Sequence, residues 1–482
     1  MRFNTKNLMQ GALSTNLAGG PAHAASGKLE LASLMLTSMF QPQFYRKPDA
    51  QLARLRELVV NKVEPAFAAR AALYARKEAG MRSVTHVAAA ELARYVKGQE
   101  WMARFLEKVV HRPDDVLEIL AYYLATYGRP IPNSLKKGLG RALAKFDEYQ
   151  LAKYRKSAAE LSLVDAVNLL HPPHTEALRK LVKGTLASAE TWETRLTQAG
   201  QAAKPGDAEA LAALKNEAWA QLVKDRKIGY FALLRNLRNI LETAPEVLED
   251  AVALLTDERL IHKSLVLPFR YLTALEALEH PECARLPGVS KAMEAISDAV
   301  EISLANVPKF PGRTLVALDG SGSMMGRPIK IGALFAAVLA KAGGEGVDVM
   351  LFSTGAKYVA LNTRDSVLTL AKRLESKVEA AGTDFHVIFK TAHRPYERII
   401  ILSDMQAWIG HGTPAKDLAA YRRKHGADPR VFSFDLQGYG TLQFPERNVF
   451  ALAGFSDKTM DTLATLDKDP GAFLKAIEAV DL

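Results

Sequence analysis

The chain has 482 residues, 48% of them hydrophobic and 24% charged, a composition that fits a soluble globular protein of two or three domains and excludes a disordered one. A single cysteine, Cys283, excludes an intrachain disulfide and argues for a reducing compartment. The net charge of +10 is unevenly placed: residues 1–180 carry 27 basic against 16 acidic side chains, a net of +11, whereas residues 181–310 carry −3 and residues 311–482 carry +2. A field of that sign raises the local concentration of polyanions such as nucleic acid, with mere solubility as the competing reading.

The N-terminal stretch MRFNTKNLMQGALSTNLAGG holds no continuous apolar segment of the signal-peptide kind, and apolar runs elsewhere are broken by charge well short of about 18 residues. A cytoplasmic protein with no membrane partner is expected. From about residue 29 to 305 the pattern is helix after helix. Leu52, Leu55, Leu58 and Val59 recur at helical spacing, as do Leu117, Leu120, Ala121 and Leu124. Short breaks at Gly80, at Arg112-Pro113-Asp114, at Gly128 to Asn133 and at His171-Pro-Pro-His174 stop one helix and start the next. Helices of this length on short turns predict stacked antiparallel pairs, an all-α solenoid of the HEAT type. The stretch AEALAALKNEAW, flanked by residues 200–207, reads as a looser, exposed insert.

After Pro308-Lys-Phe-Pro311 the period changes. Apolar runs at Leu315 to Leu318, Val347 to Phe352, Ile399 to Leu402 and Val431 to Phe434 alternate with amphipathic stretches at Ile329 to Ala342, Asp365 to Ala380 and Lys416 to Lys424. Buried parallel strands with crossover helices account for this, so a multidomain chain is predicted: an α-helical repeat module over 1–305 and a doubly wound α/β domain over 306–482. Ligands of such sheets bind at the carboxyl ends of the strands, near a topological switch point.

The run Leu318-Asp-Gly-Ser-Gly-Ser-Met-Met325 sits there, directly after the first of those strands. Alternate residues of a tight loop can turn the same way, so Asp319, Ser321 and Ser323 can converge on one point, and oxygen ligands suit a hard divalent cation, Mg²⁺ above all. A Gly/Ser turn capping a helix is the competing reading of the motif alone. Gly382-Thr383-Asp384 and Leu402-Ser403-Asp404 add two further oxygen-bearing loops at the same sheet edge. Together these residues resemble the metal-ion-dependent adhesion site of von Willebrand factor A-type domains, with Asp319, Ser321 and Ser323 in the first loop, Thr383 in the second and Asp404 in the third. The third loop departs from the usual Thr-Asp-Asn-Glu-like run, reading Ser403-Asp404-Met405-Gln406. Neither a nucleophile elbow nor an HExxH, paired CxxC or Walker motif is present, so a ligand-binding site without turnover is expected, and no catalytic residue is assigned.

Between Arg129 and Lys156 eight basic residues face only Asp147 and Glu148, a net of +6. Lys137, Arg141 and Lys145 are spaced i, i+4, i+8 and form one stripe on a helix, able to follow a phosphate backbone or simply to face solvent. Lys153, Arg155 and Lys156 flank Tyr154, and a turn bearing His171 follows, which favours RNA. Arg82 and His86, also i, i+4, are further phosphate candidates. Tyr122, Tyr123 and Tyr127 read as packing rather than as a stacking platform.

This segment, with SLVDAVNLLHPPH, YFALLRNLRNI, LPFRYLTALEAL and the α/β motifs LVALDGSGSM, AAGTDF, IIILSDMQAW and AYRRKHGADPRVF, resembles the Ro autoantigen family in content and order. That resemblance spans nearly the whole chain and implies a ring of helical repeats, the TROVE module, closed by an A-type domain. It also implies RNA as partner: Y-like structured small RNA on the outer basic surface, single-stranded 3′ ends of misfolded RNA in the central hole, and RNA quality control or maturation beside an exoribonuclease. The surface contacts it implies are Lys136, Lys137, Arg141, Lys145, Lys153, Arg155, Lys156 and His171. A monomer is expected. The rival reading is a protein-interaction scaffold whose metal site grips an acidic residue of a partner.

Overall fold

The structure is a computed structural model that describes residues 13–15, 21–24, 26–37, 48–154, 161–187, 192–202, 207–264, 266–407, 414–436, 441–442, 449–453, 463–464, 467 and 472–482. From Gly27 to Ser303 the described residues form a succession of helices, as the periodicity predicts. Local signals set their ends: Asp147 with Gln150 and Ser162 with Asp165 form reciprocal caps, Thr175 caps the helix Glu176–Lys183, and Gly184 closes that helix in the left-handed conformation. The helices stack in layers. Pro65–Glu78, Met102–Val109 and Asn133–Ala144 pack side by side in one layer, and Ser83–Tyr95 packs on Pro113–Tyr127 in the other. The stretch expected to be a looser insert is a regular helix, Ala208–Lys224, anchored by buried Trp219, Leu222 and Val223.

One departure lies at the N-terminus, where the expected all-helical module begins with two strands. Strands β1 (Leu13–Thr15) and β2 (Pro21–Ala24) form an antiparallel pair. Three and four residues long, they are too short to carry a period, and pairing in a sheet satisfies their backbone.

The α/β part starts with β3 (Thr314–Asp319), followed by β4 (Val347–Phe352), β5 (Ala356–Tyr358), β6 (Arg398–Ser403), β7 (Arg430–Asp435), β8 (Thr441–Leu442) and β9 (Val449–Ala453). The main sheet has the order β5-β4-β3-β6-β7-β9, parallel except for the edge strand β5. Every residue of β3 and of β6 is buried, as strands covered on both faces must be. The chain runs outward from β3 to β4 and then returns to β6 and β7 on the other side, so the topological switch lies between β3 and β6.

Helices cover both faces. On one, His386–Thr391 and Ala415–His425 bury Ile388, Phe389, Leu418 and Tyr421 against Leu315, Ala317, Ile399 and Ile401. On the other, Arg327–Gly343 packs on Val316, Leu318, Ile400 and Leu402, in a core that runs on without interruption into the helical array. Phe269 of the helix Phe269–Glu279 stacks on Phe335 at 5.5 Å across that junction.

The two ends of the array both meet the α/β part. Val289–Ser303 leads into β3 and packs on the helix Val367–Glu375. At the other end β2 pairs with β8, the helix Ala472–Glu478 packs on Pro65–Glu78, and Lys28–Glu478 and Lys108–Asp481 form ion pairs at 2.7 and 2.6 Å. The array is thereby closed on itself through the sheet.

Candidate RNA surface and cation site

The basic helix Asn133–Ala144 owes its seat to Gly138, where a Cβ would lie 2.5 Å from Leu106 Cβ and 2.8 Å from Ala103 O. That close approach to Met102–Val109 buries Leu135, Leu139, Ala142 and Leu143 and leaves Lys137 and Arg141 exposed on the opposite side. Gly140, three residues beyond Lys137 and four beyond Lys136, lets the turn after Leu170 approach: a Cβ there would sit 3.3 Å from Pro172 Cα. His171, exposed and left-handed at φ 49°, caps the helix Leu163–Leu170 and is held in that turn. Thus Lys136, Lys137, Arg141 and His171, distant in sequence by up to 35 residues, come to one face. Lys136 is half-buried, and among the described residues none of the four is engaged in an ion pair. Lys153 is exposed, its ammonium 5.7 Å from the Tyr154 ring, which Arg112 covers at 4.8 Å. Arg155 and Lys156 lie outside the described residues.

Three further residues of the expected phosphate set are engaged by groups of the protein itself. Lys145 does not continue the stripe: its Nζ donates to Glu107 O at 2.9 Å and Val110 O at 2.6 Å, closing the carboxyl end of Met102–Val109. Burial holds its pKa below the ordinary lysine value. Arg82 is drawn into carboxylates, with contacts of 2.8 Å to Asp114, 3.0 Å to Asp115 and 2.8 Å to Glu118. His86 is buried, Nδ1 lying 2.8 Å from Glu118 and Nε2 3.3 Å from Asp115. Burial alone would lower its pKa, but hydrogen bonds and charge from Asp115 and Glu118 outweigh it and raise the value. Arg82 and His86 are i, i+4 neighbours, and the carboxylates of the neighbouring helix Pro113–Tyr127 engage both.

Tyr123 is buried and its hydroxyl reaches Pro130 O at 3.4 Å, a packing role as expected. Tyr122 and Tyr127 do more: both donate to Glu91, a carboxylate wholly shielded from solvent, at 2.5 and 2.6 Å. The sequence reading gave Glu91 no role, because a lone Glu on an apolar helix carries no signal of its partners.

At the switch point the three oxygen-bearing loops converge. Asp319 Oδ1 accepts from Ser321 N at 2.9 Å and the Ser321 and Ser323 hydroxyls lie 3.3 Å apart. The loop of Thr383 is strapped beside them: Gly322 N donates to Ala381 O, Ala380 N to Gly320 O, and Asp384 N to Ser353 O, at 2.8 to 3.0 Å. From β6, Ser403 donates to Asp319 Oδ2 at 2.5 Å, and Asp404 follows directly after the strand. Asp319, Ser321, Ser323, Thr383 and Asp404 are all buried. Burial and the nearby Asp404 charge push the Asp319 carboxyl up to about 7, and burial raises Asp404 as well. Met405 is left-handed at φ 58°, and Gln406 turns back so that its Nε2 donates to Asp404 O at 3.2 Å. Among the described residues no group of three or more His, Cys, Asp or Glu side chains could hold an ion. The donors here are two carboxylates and hydroxyls, all oxygen, and their mutual repulsion in a buried place is of the kind a hard divalent cation relieves.

An α-helical array closed on itself by a doubly wound α/β domain, with a basic face on the array and an oxygen-lined site at the switch point, defines the class of protein. The TROVE domain model matches residues 32–209 and 183–296, and the chain belongs to that family, whose members bind RNA. The chain is similar over 92% of its length to the crystal structure of the RO (RSR) protein of Deinococcus radiodurans, with 99% of that chain covered, a TM-score of 0.63 and 19% identity, a likeness of fold. It is also 23% identical to the telomerase protein component 1 of Rattus norvegicus and 24% identical to that of Mus musculus, over 310 residues in each case. These alignments take in 46% of this chain and 11% of the relatives' length. No helix among the described residues is long and apolar enough to cross a membrane.

Proposed function

We propose that this protein is a non-catalytic RNA-binding ring protein. On this reading it binds Y-like structured small RNA on its outer basic surface and single-stranded 3′ ends of misfolded RNA in its central cavity, acting with an exoribonuclease in RNA quality control or maturation. The observation that carries the reading is the face on which Lys136, Lys137, Arg141 and His171 meet. Cations held on a rigid helix without acidic neighbours present their charge to an external polyanion. Lys153 extends the same charge, and Arg155 and Lys156 add to it in sequence. The A-type site of Asp319, Ser321, Ser323, Thr383 and Asp404 holds a divalent cation, Mg²⁺ by its donor set, and the chain works as a cytoplasmic monomer.

The test is the salt dependence of binding to a folded small RNA. Affinity should fall steeply between about 50 and 200 mM salt, because each neutralised phosphate releases counterions. A nearly flat response, or no binding at all, would remove the electrostatic basis of the reading. The second reading, a scaffold whose metal site grips an acidic side chain of a partner, is favoured by one observation: the oxygen-lined site lies in the nearly neutral third of the chain, apart from the basic face. A protein partner recovered from cells in Mg²⁺, and lost in the Asp319→Ala variant, would establish it.

A further inference from the structure

Tyr95, the last residue of the helix Ser83–Tyr95, keeps 49% of its surface in solvent although a tyrosine ring gains by being covered. The ring is nonetheless fixed. It stands edge-on to Tyr127 at 6.0 Å between centroids and 84° between planes. Tyr127 donates to Glu91 at 2.6 Å, so the ring against which Tyr95 stands is anchored on a carboxylate that is wholly buried. The same carboxylate accepts from Arg56 at 3.1 Å and from Tyr122 at 2.5 Å, which locks its rotamer from three sides. The exposed Arg94 brings positive charge here, whereas the charge of Arg56 is paired with Glu91. The Arg94 guanidinium lies 5.3 Å from the Tyr127 ring and that of Arg56 lies 5.9 Å from it. Five residues, 128–132, join Tyr127 to the helix that carries Lys136 and Lys137.

We infer that Tyr95 is a stacking seat for a nucleobase of single-stranded RNA, with the exposed Arg94 near it for a flanking phosphate. The inference rests on the RNA-binding reading above and adds a contact to a base, which the lysine and arginine surface does not provide. Each part of the arrangement fits that use. A base needs an open aromatic face, sequence-tolerant stacking needs no hydrogen-bond readout, and a ring pre-ordered by a buried anchor loses little freedom when the base arrives. A tyrosine whose role was only to close the core would be covered, as Tyr123 is.

The experiment uses the full chain and a short single-stranded RNA containing fluorescent aminopurine, titrated over a range of salt. Wild-type protein should quench the aminopurine on binding. Tyr95→Ala should relieve the quenching and weaken binding about 5- to 100-fold, the range for loss of one stacking partner, with the slope of log affinity against log salt unchanged. Tyr95→Trp should restore both signals. Unquenched aminopurine in the wild-type complex, or equal affinity and quenching in Tyr95→Ala, overturns the stacking seat while leaving the RNA reading in place. A wild type that binds no RNA overturns both.

Discussion

Ser403 and Asp319 face one another across the carboxyl ends of β6 and β3, the Ser403 hydroxyl donating to Asp319 Oδ2 at 2.5 Å. This contact joins the two sides of the switch point and orients a carboxylate that carries the proposed cation. Ser403→Ala should lower Mg²⁺ affinity about 10- to 100-fold, the usual effect of removing a group that orients a ligand, as read by calorimetry. Asp319→Ala with Ser321→Ala should abolish the binding, whereas RNA affinity should survive because the basic face lies on the helical array. Loss of RNA affinity with an unchanged circular dichroism spectrum would place the ion against phosphate instead.

Lys137 and Arg141 separate from Lys145 in what their loss should do. Lys137→Glu with Arg141→Glu should reduce the affinity for folded RNA at least tenfold and flatten its salt dependence, with the thermal midpoint kept, since neither side chain holds the fold. Lys145→Ala should do the reverse. It strips the terminal carbonyls of Met102–Val109 of their donor, at a cost of about 1 kcal/mol, and should leave RNA affinity near wild type. A midpoint unchanged in Lys145→Ala would show that water replaces the ammonium without loss.

His86 makes stability depend on pH. Its folded pKa is raised, so its contribution is complete below the unfolded value of 6.5 and is lost as pH rises through the higher folded value. Asp115 and Glu118 are shifted downward, and their contribution is lost only when pH falls below the ordinary carboxylate range. The groups facing the imidazole are Asp115 and Glu118, with Arg82 bound to both carboxylates and Arg76 to Asp115 at 2.7 Å. The midpoint of the wild type should therefore fall as pH rises above about 6.5. His86→Gln should be destabilised by on the order of 1–3 kcal/mol at pH 6 and should lack that alkaline decline. Parallel pH profiles in the two proteins would exclude the imidazole as the source.

Gly138→Ala tests the seat of the basic helix. The new methyl would meet Leu106 Cβ and Ala103 O well inside contact distance, and both are backbone or first side-chain atoms that cannot swing away. A loss of about 1–3 kcal/mol is expected, together with weaker RNA binding as the helix shifts outward. Gly140→Ala, with its nearest neighbour at 3.3 Å, should be milder.

Much of this was legible in the residues because period and punctuation agree locally. The change from helical to strand period after Pro311, and the oxygen-rich motif after β3, depend on neighbours in sequence. Contacts between elements did not show. The spacing of Arg82 and His86 was visible, but whether they meet phosphate or carboxylate depends on Asp114, Asp115 and Glu118, about 30 residues away on another helix. Lys145 follows the stripe in spacing and departs from it only because the helix ends at Ala144 and its side chain falls beside Val110. The strands β1 and β2 escaped notice because each is very short and the outer partner of β2, β8, lies more than 400 residues downstream.

The unbroken core between the sheet and the helical array has a consequence for how the molecule can be taken apart. Val316, Leu318, Ile400 and Leu402 lie beneath the helix Arg327–Gly343, and Phe335 of that helix is itself covered by Phe269 of the array. Residues 306–482 expressed alone would show Phe335 and the outer side of that helix to water, and the array alone would lose its cover at Phe269. Such surfaces drive association rather than solubility. The change of pattern near residue 306 thus divides the chain as a text but not as a cooperative unit, and heating should melt both parts in one transition.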